Sequence, residues 1–245
     1  MKPFLILHHR PDEETHQQEL KAILQFGNLT NQDIVSIRMD REDIPEIDFS
    51  LYSGIIIGGG PWNTYLPDDQ KSSEQRKAET SLVPLLHRVL EEDIPLFGIC
   101  YGMEILVVCT GGKETHERYG ESAGAVDIEL TKEGKQDLLL QGLPETFRAF
   151  VGHKEACDAL PSEAIWLATS EKCPYQMMRI KNNIYATQFH PELETEGFCL
   201  RTDVYKHTGY FLPAQFEMIQ AAAQQEHITV PLEILRRFVQ RYSRE

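Results

Sequence analysis

The sequence predicts an α/β protein with a doubly wound, mostly parallel sheet that is flanked by helices and accompanied by an additional small antiparallel sheet. Two observations lead to this fold class. In the first half, short apolar runs that end in turn residues alternate with longer segments of helical period, as in βα units. From Ala125 onward, short strand-like runs follow one another with turn signals between them, which favours antiparallel pairing.

The first half of the chain predicts a series of strand–helix units. Asp12 is placed to cap the first helix and Gly27 to end it, because aspartate accepts from the free amides of a first turn and glycine readily adopts the conformation that follows many helices. The predicted strands are residues 4–7, 33–38, 54–57 and 95–99. The predicted helices are one between Asp12 and Gly27, then residues 72–90 and 102–109.

The second half predicts shorter elements and a helical tail. The predicted strands are residues 125–130, 147–151, 165–168, 176–180 and 184–189. Residues 181–183 (KNN) predict a tight hairpin, because asparagine tolerates the left-handed conformation that such a turn requires. The tail from Leu212 is predicted to be helical, with Ile234, Phe238 and Val239 facing the core.

Length and charge limit the possible functions. A chain of 245 residues with 41% hydrophobic content can bury one large core, so we expect a single domain over residues 1–245, with a helical extension from about residue 205. The formal net charge of −14 disfavours nucleic acid and anionic membranes, which are bound through clustered Lys and Arg. The first apolar run, residues 4–7, is too short for a signal segment or a membrane span.

The five cysteines are odd in number, form no CxxC pair and have no histidine at zinc-ligand spacing. They are therefore predicted to be free thiols in a reducing, cytoplasmic environment. The sequence predicts no metal site and no cofactor.

One of the cysteines has a reactive context. The segment GICYG at residues 98–102 lies where a predicted strand meets a predicted helix, which is the setting of a nucleophile elbow. A sharp turn of this kind strains its central residue, so Gly98 and Gly102 supply the small neighbours that it needs. The helix N-terminus favours a thiolate. Cys100 is thus the predicted nucleophile.

A second segment, QFHPE at residues 188–192, places His190 at the end of a predicted strand and Glu192 two residues later. Glu192 can accept a hydrogen bond from one imidazole nitrogen and leave the other free to take a proton from Cys100. The other histidines, among them His87 and His116, are interpreted as core or surface residues.

A third segment, GGGP at residues 58–61, follows a β-branched strand and offers unobstructed backbone amides. Such amides suit an oxyanion site. We expect the amides of Gly60 and Tyr101 to be the donors, with Gly59 allowing the backbone to approach.

These three segments occur in the order GGGP, GICYG and QFHPE, and this resembles the class I glutamine amidotransferases, in particular stand-alone proteins similar to the amidotransferase domain of GMP synthase. The resemblance spans roughly residues 50–195 and includes the segment GHKE at residues 152–155. It implies a flavodoxin-like doubly wound sheet, a triad of Cys100, His190 and Glu192, and His153 among the substrate-binding residues. It also implies hydrolysis of an amide at a γ-glutamyl group through a thioester on Cys100.

The chain departs from the family pattern at Glu104, where the family usually has a glutamine that helps to hold the amino-acid end of the substrate. An ionised Glu104 one helical turn beyond Cys100, ~4 Å away, would interact with a thiolate by about 4 kcal/mol at an effective dielectric near 20 and raise the pKa of the thiol. We hypothesise that Glu104 pairs with a substrate ammonium and changes the preferred donor. The alternative is a tolerated variant with little effect.

The residues leave several functions open. The chain has no ATP-binding signature, so an amidotransferase would need a separate synthetase, whereas a γ-glutamyl peptide hydrolase would need no partner. A non-catalytic regulatory protein of the same fold is disfavoured because all three triad residues are present. A cysteine peptidase or redox sensor using the same elbow is disfavoured because Tyr, rather than His, follows Cys100. The oligomeric state is not predicted.

Overall fold

A computed structural model of the chain describes residues 1–244. Within this range the chain forms a nine-stranded sheet in the order β2-β1-β3-β4-β11-β10-β9-β6-β7, and a separate two-stranded sheet of β5 and β8. The strands are β1 (Phe4–His8), β2 (Ile34–Arg38), β3 (Gly54–Ile57), β4 (Leu96–Ile99), β5 (Lys113–Thr115), β6 (Glu121–Leu130), β7 (Thr146–His153), β8 (Ala156–Ala159), β9 (Ala164–Thr169), β10 (Met177–Ile180) and β11 (Ile184–Thr187). The helices are α1 (Glu13–Gly27), α2 (Ser73–Glu92), α3 (Tyr101–Cys109), α4 (Lys132–Gln136), α5 (Thr195–Val204), α6 (Phe216–Ala223) and α7 (Val230–Tyr242).

The large sheet has a parallel half and an antiparallel half. Strands β2, β1, β3, β4 and β11 are mutually parallel, and β10, β9, β6 and β7 continue the same sheet by antiparallel pairing. The antiparallel pair β5–β8 is the additional small sheet. The predicted fold class is confirmed, and most of the antiparallel strands extend the main sheet.

One predicted helix end was wrong by one residue, and the predicted hairpin at residues 181–183 is present but has a different residue in the left-handed conformation. Helix α1 runs through Gly27, and Asn28 adopts the left-handed conformation (φ 55°) that ends it. In the hairpin between β10 and β11, Lys181 has the positive φ (51°), while Asn182 and Asn183 bond instead to Asp93. The asparagine side chains are therefore used to attach the hairpin to the end of α2.

The helix caps and the tail follow the sequence closely. Asp12 caps α1 by accepting a 2.9 Å hydrogen bond from the amide of Thr15. Ile234, Phe238 and Val239 of α7 are buried, as predicted, and Phe238 packs edge-on against Phe97 of β4 with ring centroids 5.1 Å apart. Helix α7 thus covers one face of the sheet beside α1.

The carboxyl ends of the central parallel strands meet at one edge of the sheet. Strand β1 leads there into His9 and Arg10, β3 into the three glycines at 58–60, β4 into Cys100 and β11 into His190. This convergence brings together segments that are far apart in sequence. Among residues 1–244, no helix has both the length and the apolar character needed to cross a bilayer.

Candidate active site

Cys100 sits in a tight turn between β4 and α3. Its backbone has φ 51° and ψ −103°, a conformation that side-chain-bearing residues rarely adopt, and its position is the N-cap of α3. A Cβ on Gly98 would lie 2.6 Å from the carbonyl oxygen of Gly102, and one on Gly102 would lie 2.7 Å from that of Ile57. The strained elbow predicted from GICYG is present, and both glycines are required by contacts with backbone.

His190 and Glu192 form the hydrogen-bonded pair expected from QFHPE. Nδ1 of His190 lies 2.9 Å from Oε1 of Glu192, and both side chains are buried. Burial lowers the pKa of His190, against the opposing effect of Glu192, so the imidazole is neutral near pH 7. Burial acts to raise the pKa of Glu192, but His190 and Arg201 outweigh it and hold that pKa below its usual range.

Arg201 of α5 contacts both members of this pair. Its place in the site was not predicted from the sequence. Its Nη1 donates to Oε1 of Glu192 across 2.7 Å and lies 3.3 Å from Nδ1 of His190. Its Nε donates to the side chain of Gln18 on α1. Arg201 belongs to no motif, and its location follows from the packing of α5 against α1.

The predicted oxyanion segment lies beside Cys100 and His190. A Cβ on Gly59 would lie 3.3 Å from Cβ of Cys100 and 2.9 Å from Cε1 of His190. Gly60 lines the same cavity as Cys100 and His190. The amide of Tyr101 lies against the sulfur and acts to lower the thiol pKa, while its ring is buried against His9.

Glu104 contacts Cys100 directly. Its Oε1 lies 3.9 Å from Sγ of Cys100 and accepts a 3.1 Å hydrogen bond from Nε2 of Gln188. Burial raises the pKa of the Cys100 thiol well above its usual value, and Glu104 adds to this rise while Arg10 opposes it. This is the direction that the sequence led us to expect for an ionised Glu104.

Glu104 belongs to a group of buried acids that the sequence did not predict. Burial, together with Glu155 and Glu114, raises the pKa of Glu104 well above its usual value. Glu155 also accepts from the backbone amides of Thr64 (2.7 Å) and Tyr65 (3.0 Å), so it holds the loop after GGGP.

His153 lies outside the cavity, although we expected it among the substrate-binding residues. Its Nδ1 is 2.8 Å from the backbone oxygen of Glu155, and its Nε2 is 2.9 Å from the carboxylate of Glu121. The connection of His153 to the site therefore runs through Glu155.

His153, Glu121 and Cys173 also offer three possible metal ligands within 4.8 Å of one another. Glu121 already accepts hydrogen bonds from Ser170 and Gln176 as well as from His153. Because its lone pairs are used in this way, the group fits a buried hydrogen-bond network better than a metal site.

A cavity of ≈ 60 Å³ opens beside Cys100 and His190. Much of its wall is apolar, formed by Ala123, Val151, Leu193, Phe198 and Phe211. Tyr205, Tyr210 and Phe211, from the segment that follows α5, cover one side.

Arg10 lines the same cavity. Its place in the site was also not predicted from the sequence. Its Nε donates to Glu19 across 2.9 Å, and its Nη1 lies 3.4 Å from the hydroxyl of Tyr205. Glu19 and Tyr205 hold the pKa of Arg10 above its usual range despite burial. A fixed positive charge therefore stands beside the nucleophile.

The chain is similar to several known proteins. The family model described as glutamine amidotransferase class-I matches residues 16–198. The chain is 29% identical to a protein of Methanosphaera stadtmanae named as one subunit of glutamine-hydrolyzing GMP synthase, over 180 residues, which are 73% of this chain and 84% of that protein. It is 33% identical to the GMP synthase of Bacillus cereus over 189 residues, 72% of this chain but 33% of that protein.

Further comparisons show how much of its relatives' length the chain spans and how much of its fold is shared. The chain is 28% identical to the GMP synthase of Borrelia garinii over 228 residues, but the match spans only 39% of that protein, so the chain corresponds to part of such relatives. A crystal structure of a glutamine amidotransferase from Thermotoga maritima superposes with a TM-score of 0.75 at 21% identity, covering 98% of this chain and 97% of that one. The fold thus extends over nearly the whole chain, including the helical tail. On the family match and these relatives, this chain belongs to the class I glutamine amidotransferase family.

Proposed function

We propose that this protein hydrolyses the γ-amide of glutamine or of a γ-glutamyl compound through a thioester on Cys100. The observation that carries the proposal is that Cys100 and His190 line one cavity while Glu192 pairs with Nδ1 of His190. This is the arrangement of a nucleophile, a general base and a residue that orients the base.

The protonation states support a coupled proton transfer. Because burial and Glu104 raise the pKa of Cys100, the resting group is a thiol, and neutral His190 takes its proton as sulfur attacks the γ-carbonyl carbon. The C–N bond then breaks, and His190 protonates the departing ammonia or amine. Water attacks the thioester with His190 again as base, which releases glutamate and restores the thiol.

Backbone amides would bind the oxyanion that forms during the reaction, and the buried acids would bind the α-ammonium of the substrate. The amides of Gly60 and Tyr101 are the proposed donors to the oxyanion. We assign the α-ammonium of the glutamyl group to the side of Cys100 that carries Glu104 and Glu155. A bound cation there would favour the ionised form of Glu104, against the burial that raises its pKa.

Two observations bear on a partner. The Methanosphaera stadtmanae relative carries the name of one GMP synthase subunit, and this suggests that a separate synthetase could receive ammonia. The aromatic side chains of Tyr205, Tyr210 and Phe211 on this chain instead cover one side of the cavity next to His190, and this favours hydrolysis without a partner. We infer one catalytic domain that includes the tail from about residue 205, and five free cysteines support a reducing, cytoplasmic location.

The test is release of glutamate from L-glutamine and from γ-glutamyl amides by the purified protein. Cys100→Ala should abolish it, whereas Cys109→Ala, a free and partly buried thiol on the same helix, should retain it. Mass spectrometry after incubation with a diazoketone analogue of glutamine should locate the label on Cys100. Glutamate release that survives Cys100→Ala would contradict the proposal.

The role of Glu104 needs its own comparison. Glu104→Gln should change the ratio of rates on glutamine and on γ-glutamyl peptides if the carboxyl group selects the donor. An unchanged ratio would mean that Glu104 does not determine donor preference.

A further inference from the structure

The cavity beside His190 is where the departing amine would leave. This step rests on the proposed function, in which His190 protonates that amine and must therefore be adjacent to it. Sγ of Cys100 also contacts the polar side chains of Glu104 and Gln188, and neither of these side chains lines the cavity. Substituents on the leaving nitrogen consequently point into the cavity.

One guanidinium nitrogen of Arg10 is available in this cavity. Arg10 is 3% exposed, yet its Nη2 makes no hydrogen bond within the part of the chain that the structure describes. Nη2 lies 3.5 Å from the point where a Cβ on Gly59 would stand, and that point is 2.9 Å from Cε1 of His190 and 3.3 Å from Cβ of Cys100. A carboxylate one carbon away from the leaving nitrogen would therefore be within reach of Arg10.

The other residues of the cavity wall determine which second substituent the leaving amine can carry. Ala123, Val151, Leu193, Phe198 and Phe211 offer apolar surface, and the cavity of ≈ 60 Å³ has space for a group the size of isopropyl. Among the described residues that line it, none is acidic, whereas Arg10 and Arg201 are both cationic. A positively charged substituent would be repelled and would find no partner.

We propose that the leaving group is an α-amino acid with a small apolar side chain, so that the substrates are γ-glutamyl dipeptides such as γ-glutamylvaline. Its carboxylate pairs with Nη2 of Arg10, and its side chain occupies the apolar wall. In the first step the Cys100 sulfur bonds the γ-carbon, the C–N bond breaks, and valine leaves with the proton that His190 took from the thiol. Water then hydrolyses the thioester to glutamate and regenerates the thiol.

Five substrates test the contact of the carboxylate with Arg10 separately from the contact of the side chain with the apolar wall. γ-Glutamylvaline has both the carboxylate and the isopropyl group, γ-glutamylglycine only the carboxylate, γ-glutamylisobutylamide only the isopropyl group, and glutamine neither. γ-Glutamyllysine tests the repulsion. The expected result is that kcat/KM for γ-glutamylvaline exceeds that of each of the other four by about tenfold or more.

Variants assign each preference to its residues. Arg10→Gln should lower kcat/KM for γ-glutamylvaline about tenfold more than for γ-glutamylisobutylamide, with Arg10→Lys intermediate. Ala123→Leu, which fills the cavity at a partly exposed position, should lower the ratio of γ-glutamylvaline to γ-glutamylglycine. Should Arg10→Gln fail to fold, the wild-type preferences and Ala123→Leu still decide the matter.

The possible outcomes are distinct. Cys100-dependent hydrolysis of glutamine without a preference for γ-glutamylvaline overturns the inference and leaves the proposed function intact. Equal losses on all substrates in Arg10→Gln would give Arg10 a general role in the reaction and also overturn it. Absence of any Cys100-dependent hydrolysis rejects the proposed function together with the inference.

Discussion

The guanidinium of Arg201 donates a 2.7 Å hydrogen bond to Oε1 of Glu192. The same oxygen pairs with Nδ1 of His190, so one carboxylate oxygen serves two donors. Arg201 thereby keeps Glu192 ionised and at the same time places a positive charge beside the imidazole, which acts to lower the pKa of His190. Both effects keep His190 oriented and unprotonated, as its proposed role as general base requires.

Arg201→Met should move the acidic limb of the pH profile of kcat/KM to higher pH. Burial is the largest cause of the lowered pKa of His190, and Arg201 adds to it. Removing that charge raises the pKa, so His190 becomes protonated at a higher pH, by about one pH unit. Arg201→Lys keeps the charge and should leave the limb in place. A profile that falls in amplitude without shifting would reduce Arg201 to a structural role.

Glu104→Gln should make the Cys100 thiol easier to ionise. The carboxylate of Glu104 raises the pKa of Cys100 beyond the effect of burial, and glutamine removes this contribution. Alkylation of Cys100 by iodoacetamide, followed by mass spectrometry between pH 7 and 10, should be faster by roughly tenfold for each unit by which the pKa falls. The exposed Glu117→Gln is the control. Identical alkylation profiles would show that Glu104 is neutral throughout this range.

Because of the buried His9, we expect the folded protein to be less stable at mildly acidic pH than at neutral pH. Its ring is buried between Trp62 and Tyr101, neither ring nitrogen has a hydrogen-bond partner within residues 1–244, and burial lowers its pKa to about 3. The unfolded chain binds a proton below pH 6.5 and the folded one does not until about pH 3, so stability decreases as the pH falls through this window. At pH 5 the loss amounts to about 2 kcal/mol relative to neutral pH.

Denaturant unfolding of His9→Phe at pH 7.5 and pH 5 checks this. The difference in unfolding free energy between the two pH values should shrink by about 2 kcal/mol, because the variant has no proton to bind. His87→Gln, at an exposed position, should keep the wild-type difference. The same pH dependence in all three proteins would mean that His9 is protonated in the folded state.

Gly98→Ala should destabilise the elbow. The added Cβ would meet the carbonyl oxygen of Gly102 at 2.6 Å, and backbone cannot move away as a flexible side chain can. We expect a loss of about 2–3 kcal/mol in the free energy of unfolding, measured in urea. At Gly124 the closest atom to an added Cβ is 3.8 Å away, so Gly124→Ala should stay within about 0.5 kcal/mol of the wild type. Equal stability of the two variants would contradict the packing argument.

The elements that the sequence predicted well are those with strong local signals. Such signals are the β-branched runs, the Asp12 cap and the glycines flanking Cys100, which depend on the local backbone alone. Each of these features lies where it was expected. Two details of the turns differ: α1 ends one residue later than expected, and in the hairpin at residues 181–183 Lys181 rather than an asparagine has the positive φ. Asn183 is drawn to Asp93 of another element, so a local preference for the left-handed conformation was overridden.

The sequence by itself determined the α/β class, the elbow at Cys100 and the pairing of His190 with Glu192, because each depends on residues within a few positions of one another. Only the tertiary structure decided what surrounds them. Arg10 arrives from the end of β1 and Arg201 from α5, while the acids that raise the pKa of Glu104 come from β5 and the loop after β7. These side chains belong to no motif. Their positions, and hence the charge and the shape of the site, follow from how distant strand ends and helices pack at one edge of the sheet.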